Sequence, residues 1–166
     1  MNPLWDYFWP CFAAGLLVGG PTGLVAFRRR LRRNAAFIIG LLVALALASL
    51  WHGPLGGARR FEGKVQHAIQ QNLIYYEMTK VSAHLHHAPL TREVLLSGPA
   101  DDFQRVELAA LIDELPGVSS ASWSPDAVGT PLLLEGLAVS VVGFLFGLLL
   151  AYLAEIRRRH NAQWKW

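Results

Sequence analysis

His84, His86 and His87 are the residues of this 166-residue chain whose type and spacing come nearest to doing chemistry. Alternate positions on a strand project from one face, and imidazoles paired on such a face suit zinc or copper. A closed metal site needs about three or four ligands. Here there is no cysteine nearby, and only His52, His67 or a carboxylate could complete the set. Val81, Ala83 and Leu85 alternate with Ser82, His84 and His86, so the apolar residues take the buried face and the histidines the exposed one. The expectation is a solvated or partner-facing strand without metal, His84 and His86 being the candidates should a metal bind. Ser97, His86 and Asp101 supply the residue types of a nucleophilic triad. Ser-Gly ahead of a helix, however, reads as a strand-ending turn. No Gly-rich phosphate loop, nucleophile elbow or HExxH pair is present. The sequence therefore predicts no catalytic residue, no cofactor and no enzymatic activity.

The elements that position these residues are dominated by apolar segments. Hydrophobic residues make up 53% of the chain and charged ones 16%, against roughly 25% charged in soluble domains. The deficit falls in three runs, 7–27, 35–51 and 131–154. A membrane helix needs about 20 residues, within a range of about 17–25, so each run predicts one span. For the first, a cleaved signal peptide is the alternative. No basic residue precedes the run and its arginines follow it, which are the wrong flanks. The one cysteine, Cys11, lies inside this run, which excludes an intrachain disulfide.

Charge placement predicts the orientation. Behind the net charge of +3 stand two basic clusters, Arg28, Arg29, Arg30, Arg32 and Arg33 between the first two runs and Arg157, Arg158 and Arg159, with Lys165, after the third. Basic residues favour the cytoplasmic side, and an odd number of spans places the termini on opposite sides. The self-consistent arrangement is an N-terminus and residues 52–130 in the periplasm and a cytoplasmic C-terminus, in a bacterial inner membrane. The basic clusters thus read as topology signals that also contact anionic lipid headgroups, and not as a nucleic-acid surface. Trp5, Tyr7, Trp9 and Trp51 near the span ends, and Trp164 and Trp166 in the tail, suit the headgroup level.

Helices in lipid meet through close packing, so small residues four apart mark contact faces. Gly15, Gly19 and Gly23 form one such stripe and Gly143, Gly147 and Ala151 another. Each could pack within the chain or against another subunit. Glu135 is the one acidic residue within a predicted span. Its place about one turn from the outer end predicts an interfacial residue or a polar partner contact, and not a proton relay.

Composition changes after Trp51. Residues 52–59 form a Gly/Pro-rich linker. Phe61, Val65, Ala68, Ile69 and Leu73 then recur at helical spacing, predicting a helix over 60–72. Strands are predicted at 81–86, 93–98 and 118–123, with an acidic-led helix from Asp101 whose stripe is Leu108, Leu111, Ile112 and Leu115. The order is αββαβ. In full, the predicted division is a membrane helix in 1–27, a basic cytoplasmic loop at 28–34, a second membrane helix at 35–51, the linker 52–59, a domain at 60–124, a linker at 125–130, a third membrane helix at 131–154 and a basic cytoplasmic tail at 155–166. The fold class is thus an integral membrane α-helical protein with three transmembrane helices and a small α/β extracytoplasmic domain.

The run 92–123, REVLLSGPADDFQRVELAALIDELPGVSSASW, resembles the BON domain, named for bacterial OsmY and nodulation proteins. Leu96-Ser97-Gly98, Arg105, Ala109 and Pro116-Gly117-Val118 occupy places that match the family pattern, and the resemblance covers about residues 60–124. It implies a two-layer domain in the cell envelope that binds phospholipid surfaces or other envelope components and shares no catalytic residues. The expected function is a non-enzymatic inner-membrane protein whose BON-like periplasmic module binds envelope lipid or a periplasmic or membrane protein partner. The alternative is an accessory or assembly subunit of a multisubunit respiratory, photosynthetic or transport complex. Expected partners are anionic lipid headgroups and other membrane protein subunits.

Overall fold

Apolar runs in lipid must satisfy their backbone amides internally, and helices do so. The computed structural model describes residues 2–28, 33–124 and 129–163. In chain order its elements are α1 (Pro3–Arg28), α2 (Arg33–His52), α3 (Gly57–Tyr75), β1 (Ser82–His87), β2 (Leu90–Ser97), α4 (Asp102–Asp113), β3 (Ser120–Ser122) and α5 (Leu132–Gln163). The protein is mostly helical. Helices α1, α2 and α5 are each long and apolar enough to cross a membrane, and a three-stranded sheet accompanies them. Helix α1 continues through Pro10 and Pro21. The residues assigned from sequence to a basic tail continue α5 as far as Gln163. Glu155 explains part of that extension: it binds Arg158 and Arg159, three and four residues on, across one helical turn.

The chain divides into two compact units, one of Met1–Tyr7 with Gly56–Glu135 and one of Phe8–Leu55 with Gly136–Trp166. In the first, the sheet has the order β1-β2-β3. Strands β1 and β2 pair antiparallel, with Ala83 opposite Leu96 and Leu85 opposite Val94. Because strand side chains alternate, these four share one face, and all four are buried. Helix α3 supplies Phe61, Val65, Ile69 and Leu73 to the same core, and α4 supplies Leu108 and Ile112. Gln66 Nε2 on α3 donates to the Ala83 carbonyl at 2.7 Å, which ties helix to strand. Strands β2 and β3 pair in parallel, an arrangement that needs the crossover α4 provides.

The core also takes residues from outside the predicted domain. Tyr7 is buried, with its ring centroid 5.8 Å from that of Phe61 and its hydroxyl donating to the Leu132 carbonyl at 3.4 Å. Asp6 forms an ion pair with Lys64 of α3. Tyr7 is thus a core residue of this unit and not a lipid-exposed ring. Two turns depend on glycine. Gly98 (φ +129°) and Gly117 (φ +109°) lie where side-chain-bearing residues are rarely found. A Cβ at Gly98 would meet the Lys80 carbonyl oxygen at 2.7 Å.

Helix α4 opens on a capping box. Asp101 accepts from the Gln104 amide at 2.7 Å, and the Gln104 side chain accepts from the Asp101 amide at 3.2 Å. Loss of such a cap costs about 0.5–2 kcal/mol. Asp101→Ala is therefore expected to speed amide hydrogen exchange across 102–113, and unchanged exchange there would show the cap to be dispensable.

In the second unit, small residues set the helix contacts. Gly40, Ala44 and Ala48 are the buried positions of α2. Ser140 of α5, fully buried, donates to the Ala44 carbonyl at 3.2 Å. A Cβ built on Gly40 would fall against the Thr22 side chain of α1.

Candidate functional site

The two glycine stripes face each other. A Cβ on Gly15 would strike the Ser140 carbonyl, one on Gly19 the Phe144 carbonyl, and one on Gly23 the Ala151 methyl. From the other side, Gly143 abuts the Phe12 carbonyl, and Gly147 lies against Leu16 and Gly20. All six predicted packing residues therefore join α1 to α5 within the chain.

The polar candidates are committed elsewhere. His84 is exposed. His86 Nδ1 lies 3.0 Å from the Pro89 carbonyl, and His87 Nδ1 lies 3.3 Å from Glu62 Oε1. Among the described residues no group of three or more His, Cys, Asp or Glu side chains is placed to hold a metal ion. Ser97 Oγ pairs with Ser82 Oγ at 2.8 Å while Asp101 caps α4, so Ser97, His86 and Asp101 each have a different partner.

Glu135 lies in the unit that holds the sheet, with its Oε2 2.9 Å from Arg92 Nε of β2. The contact is a charge pair with poor donor alignment, since that Nε lacks a well-formed hydrogen bond. Next to Arg92, Glu93 Oε1 accepts from Ser120 Oγ at 3.0 Å, while its Oε2 has no hydrogen-bond partner among the described residues.

Of the arginines, Arg29, Arg30 and Arg32 lie outside the described residues. Arg158 gives two hydrogen bonds to Glu155, at 2.8 and 2.9 Å, and Arg159 gives one at 3.1 Å. Arg28 Nε adds a charge contact at 3.8 Å. Arg33 and Arg157 are exposed. Sequence reading passed over Glu155, which is 4% exposed. The signal available was an acid three and four residues ahead of two arginines at the end of an apolar run.

An exposed apolar stripe with an acidic frame lies on α4. Its inner face is spent on Leu108 and Ile112. On the outer face Phe103 and Val106 are 74% and 70% exposed, and Ala110 continues the stripe one turn on. Helical spacing puts Asp102 and Asp113 along one edge of this stripe and Glu107 and Glu114 along the other, and all four are exposed. The basic residue of the helix, Arg105, is turned away. Its guanidinium carbon sits 5.4 Å from the Trp123 ring centroid, its Nε donates to the Ala100 carbonyl, and the Trp123 indole N–H donates back to the Arg105 carbonyl at 2.9 Å. Sequence reading assigned only the buried side of this helix and left the acidic frame unread. No protein-family profile, curated protein or solved structure matches the chain.

Proposed function

We propose that this chain is a non-enzymatic, multi-pass protein of a bacterial inner membrane. On this reading it holds a BON-like module outside the cytoplasm and docks a basic protein partner there through the outer face of α4. The observation that carries the proposal is the exposed stripe of Phe103, Val106 and Ala110 within its frame of four carboxylates. Exposed apolar patches rimmed by polar groups mark interaction surfaces. An acidic rim repels an anionic leaflet and suits a protein surface with Lys and Arg set around an apolar anchor. Placement outside the cytoplasm is supported by the arginines after α1 and near the end of α5. The BON likeness is supported by the αββαβ order and by turns at Gly98 and Gly117, the two glycines of its motif. An accessory subunit of a membrane complex is the form this function takes when the partner is itself embedded.

The test is a photo-crosslinking residue at position 103 of the full chain in native membranes. A discrete protein adduct is expected, absent from position 84 and lost in Glu107→Lys/Asp113→Lys. Binding of full-length protein in neutral nanodiscs to phosphatidylglycerol vesicles, which the arginine clusters can supply, is expected to be unchanged by Phe103→Ser/Val106→Ser. Vesicle binding that falls in this variant, with no adduct at position 103, would transfer the role of α4 to lipid, and no adduct with no such fall would end the proposal. In a Cys11→Ala background, an impermeant maleimide is expected to label Asp102→Cys in spheroplasts and Arg157→Cys only after lysis. The reverse pattern would invert the topology.

A further inference from the structure

Beside the end of α1, the start of α2 and the last turns of α5 lies a pocket of about 310 Å³. Phe27, Tyr152 and Ile156 form its apolar wall, and Arg33, Arg159 and Glu155 its polar one. The Phe27 ring is braced on both sides, with centroids 6.0 Å from Phe37 and 5.6 Å from Tyr152.

We infer that this pocket holds the phosphate of an anionic membrane phospholipid, with Arg33 and Arg159 on the phosphate and the adjoining acyl segment along Phe27, Tyr152 and Ile156. This rests only on the three helices being embedded in lipid, and is independent of what α4 docks.

The charge balance favours an anion. Arg28, Arg158 and Arg159 surround Glu155, and Arg33 stands across the pocket. Within the lining itself Arg33 and Arg159 outweigh Glu155 by one positive charge, and Arg28 and Arg158, which also pair with Glu155, offset that carboxylate further. Glu155 does not compete for the arginines' remaining donors. Its oxygens are already taken by Arg158 and Arg159, and Arg159 uses only its Nε in that contact. A guanidinium has five N–H donors, so the carboxylate fixes Arg159 in place and leaves its outer nitrogens available. Among the described residues no carboxylate pairs with Arg33.

The surroundings favour a lipid over a free ion. A soluble phosphate has no use for an aromatic and aliphatic wall. A phospholipid presents its phosphodiester and the first methylenes of its chains together, at the level where an apolar helix gives way to arginine. Orientation by positive charge requires only a count of basic residues. It requires neither a concave site nor a buried acid that anchors two arginines, and this pair of features separates a binding pocket from a topology signal. A pocket of this size also lies within the usual range for small-ligand sites, about 300–1,000 Å³.

The experiment uses full-length protein reconstituted into vesicles of equal phosphatidylglycerol and phosphatidylcholine, with lipid retention read by native mass spectrometry. Flotation with the vesicles is scored first. Failure to float would overturn the membrane reading and this proposal together, whereas flotation without retained lipid overturns the pocket alone. Wild type is expected to retain one phosphatidylglycerol in preference to phosphatidylcholine. Arg33→Gln and Arg159→Gln are each expected to reduce retention about tenfold, the loss of one charged hydrogen-bond contact. Arg157→Gln removes the same charge from the same helix outside the pocket and is expected to retain lipid as wild type does. Equal losses in Arg157→Gln and Arg159→Gln would reduce the effect to diffuse surface charge and overturn the proposal. Displacement of the lipid by millimolar inorganic phosphate would likewise overturn the lipid assignment.

Discussion

Replacing Gly15 by alanine is expected to lower the thermal midpoint of the full chain in detergent by several degrees, while Gly20→Ala leaves it unchanged or raises it. The two positions share a helix and a chemistry and differ in what faces them. A Cβ at Gly15 would fall within 3.0 Å of the Ser140 carbonyl and the Phe144 amide nitrogen, and a Cβ at Gly20 would meet nothing within 4 Å. The atoms at Gly15 are backbone, so no side chain can rotate away. Helices α1 and α5 would have to separate, weakening the close contacts at Gly19 and Gly143 as well. Overpacking of this kind costs about 1–3 kcal/mol. At Gly20 the methyl is unopposed and helix propensity favours alanine by about 1 kcal/mol. For chains of this length each kcal/mol moves the midpoint by roughly 2–4 °C. Equal midpoints for the two variants would show that the stripe does not hold these helices together.

That contrast marks how far the sequence could be read. Small residues at four-residue spacing named Gly15, Gly19, Gly23, Gly143, Gly147 and Ala151 as a contact set, because close approach in lipid requires the absence of side chains. Spacing alone carries no information on what lies opposite, so it favours packing within the chain only slightly over packing against a partner, whereas in the structure α1 and α5 meet face to face. The elements of the small α/β unit were legible for a related reason. Strand alternation at 81–86 and helical recurrence from Phe61 to Leu73 are local patterns, and the buried set follows both.

What stayed hidden depends on residues far apart in the chain. Tyr7 reads as an interfacial ring by its place at the edge of an apolar run. It is buried because Phe61 and Leu132, 54 and 125 residues away, close around it. Glu135 reads as an isolated carboxylate in a span, since its partner Arg92 lies on a strand whose register no local pattern specifies. Glu155 was within reach, its partners being one turn away, but it falls one residue past an apolar run ending at Ala154 and was grouped with the tail. The outer face of α4 was missed differently. The buried stripe of an amphipathic helix leaves its other face to solvent by default, and only the folded arrangement puts Phe103 and Val106 on that face.

Gly117→Ala is expected to destabilise the sheet-bearing unit by about 2–6 kcal/mol, through two costs that a control variant separates. The first is conformational: φ is +109°, and holding a side-chain-bearing residue in such a region costs on the order of 1–3 kcal/mol. The second is steric. A Cβ there would lie 2.7 Å from Val65 Cγ2 and 3.5 Å from the Phe61 ring. Both side chains are buried in the core, so neither can yield freely, and overpacking adds about 1–3 kcal/mol. Gly56 also has positive φ, at +76°, but nothing within 4 Å of a built Cβ. Gly56→Ala should therefore incur the conformational cost alone. Amide hydrogen exchange in β1 and β2 of the full chain resolves the difference, because each 1.4 kcal/mol accelerates globally exchanging amides about tenfold. Gly117→Ala is expected to accelerate exchange at Ala83, Leu85 and Val94 at least tenfold more than Gly56→Ala does. Equal acceleration would mean that the Val65 contact relaxes without cost. The comparison also bears on binding, since Gly117 follows directly on the Leu115-Pro116 turn that closes α4. A variant that loosens this turn should weaken any adduct formed at Phe103 while leaving all four framing carboxylates in the chain. Undiminished crosslinking in a measurably destabilised Gly117→Ala protein would show that docking needs only the helix itself and not its seat on the sheet.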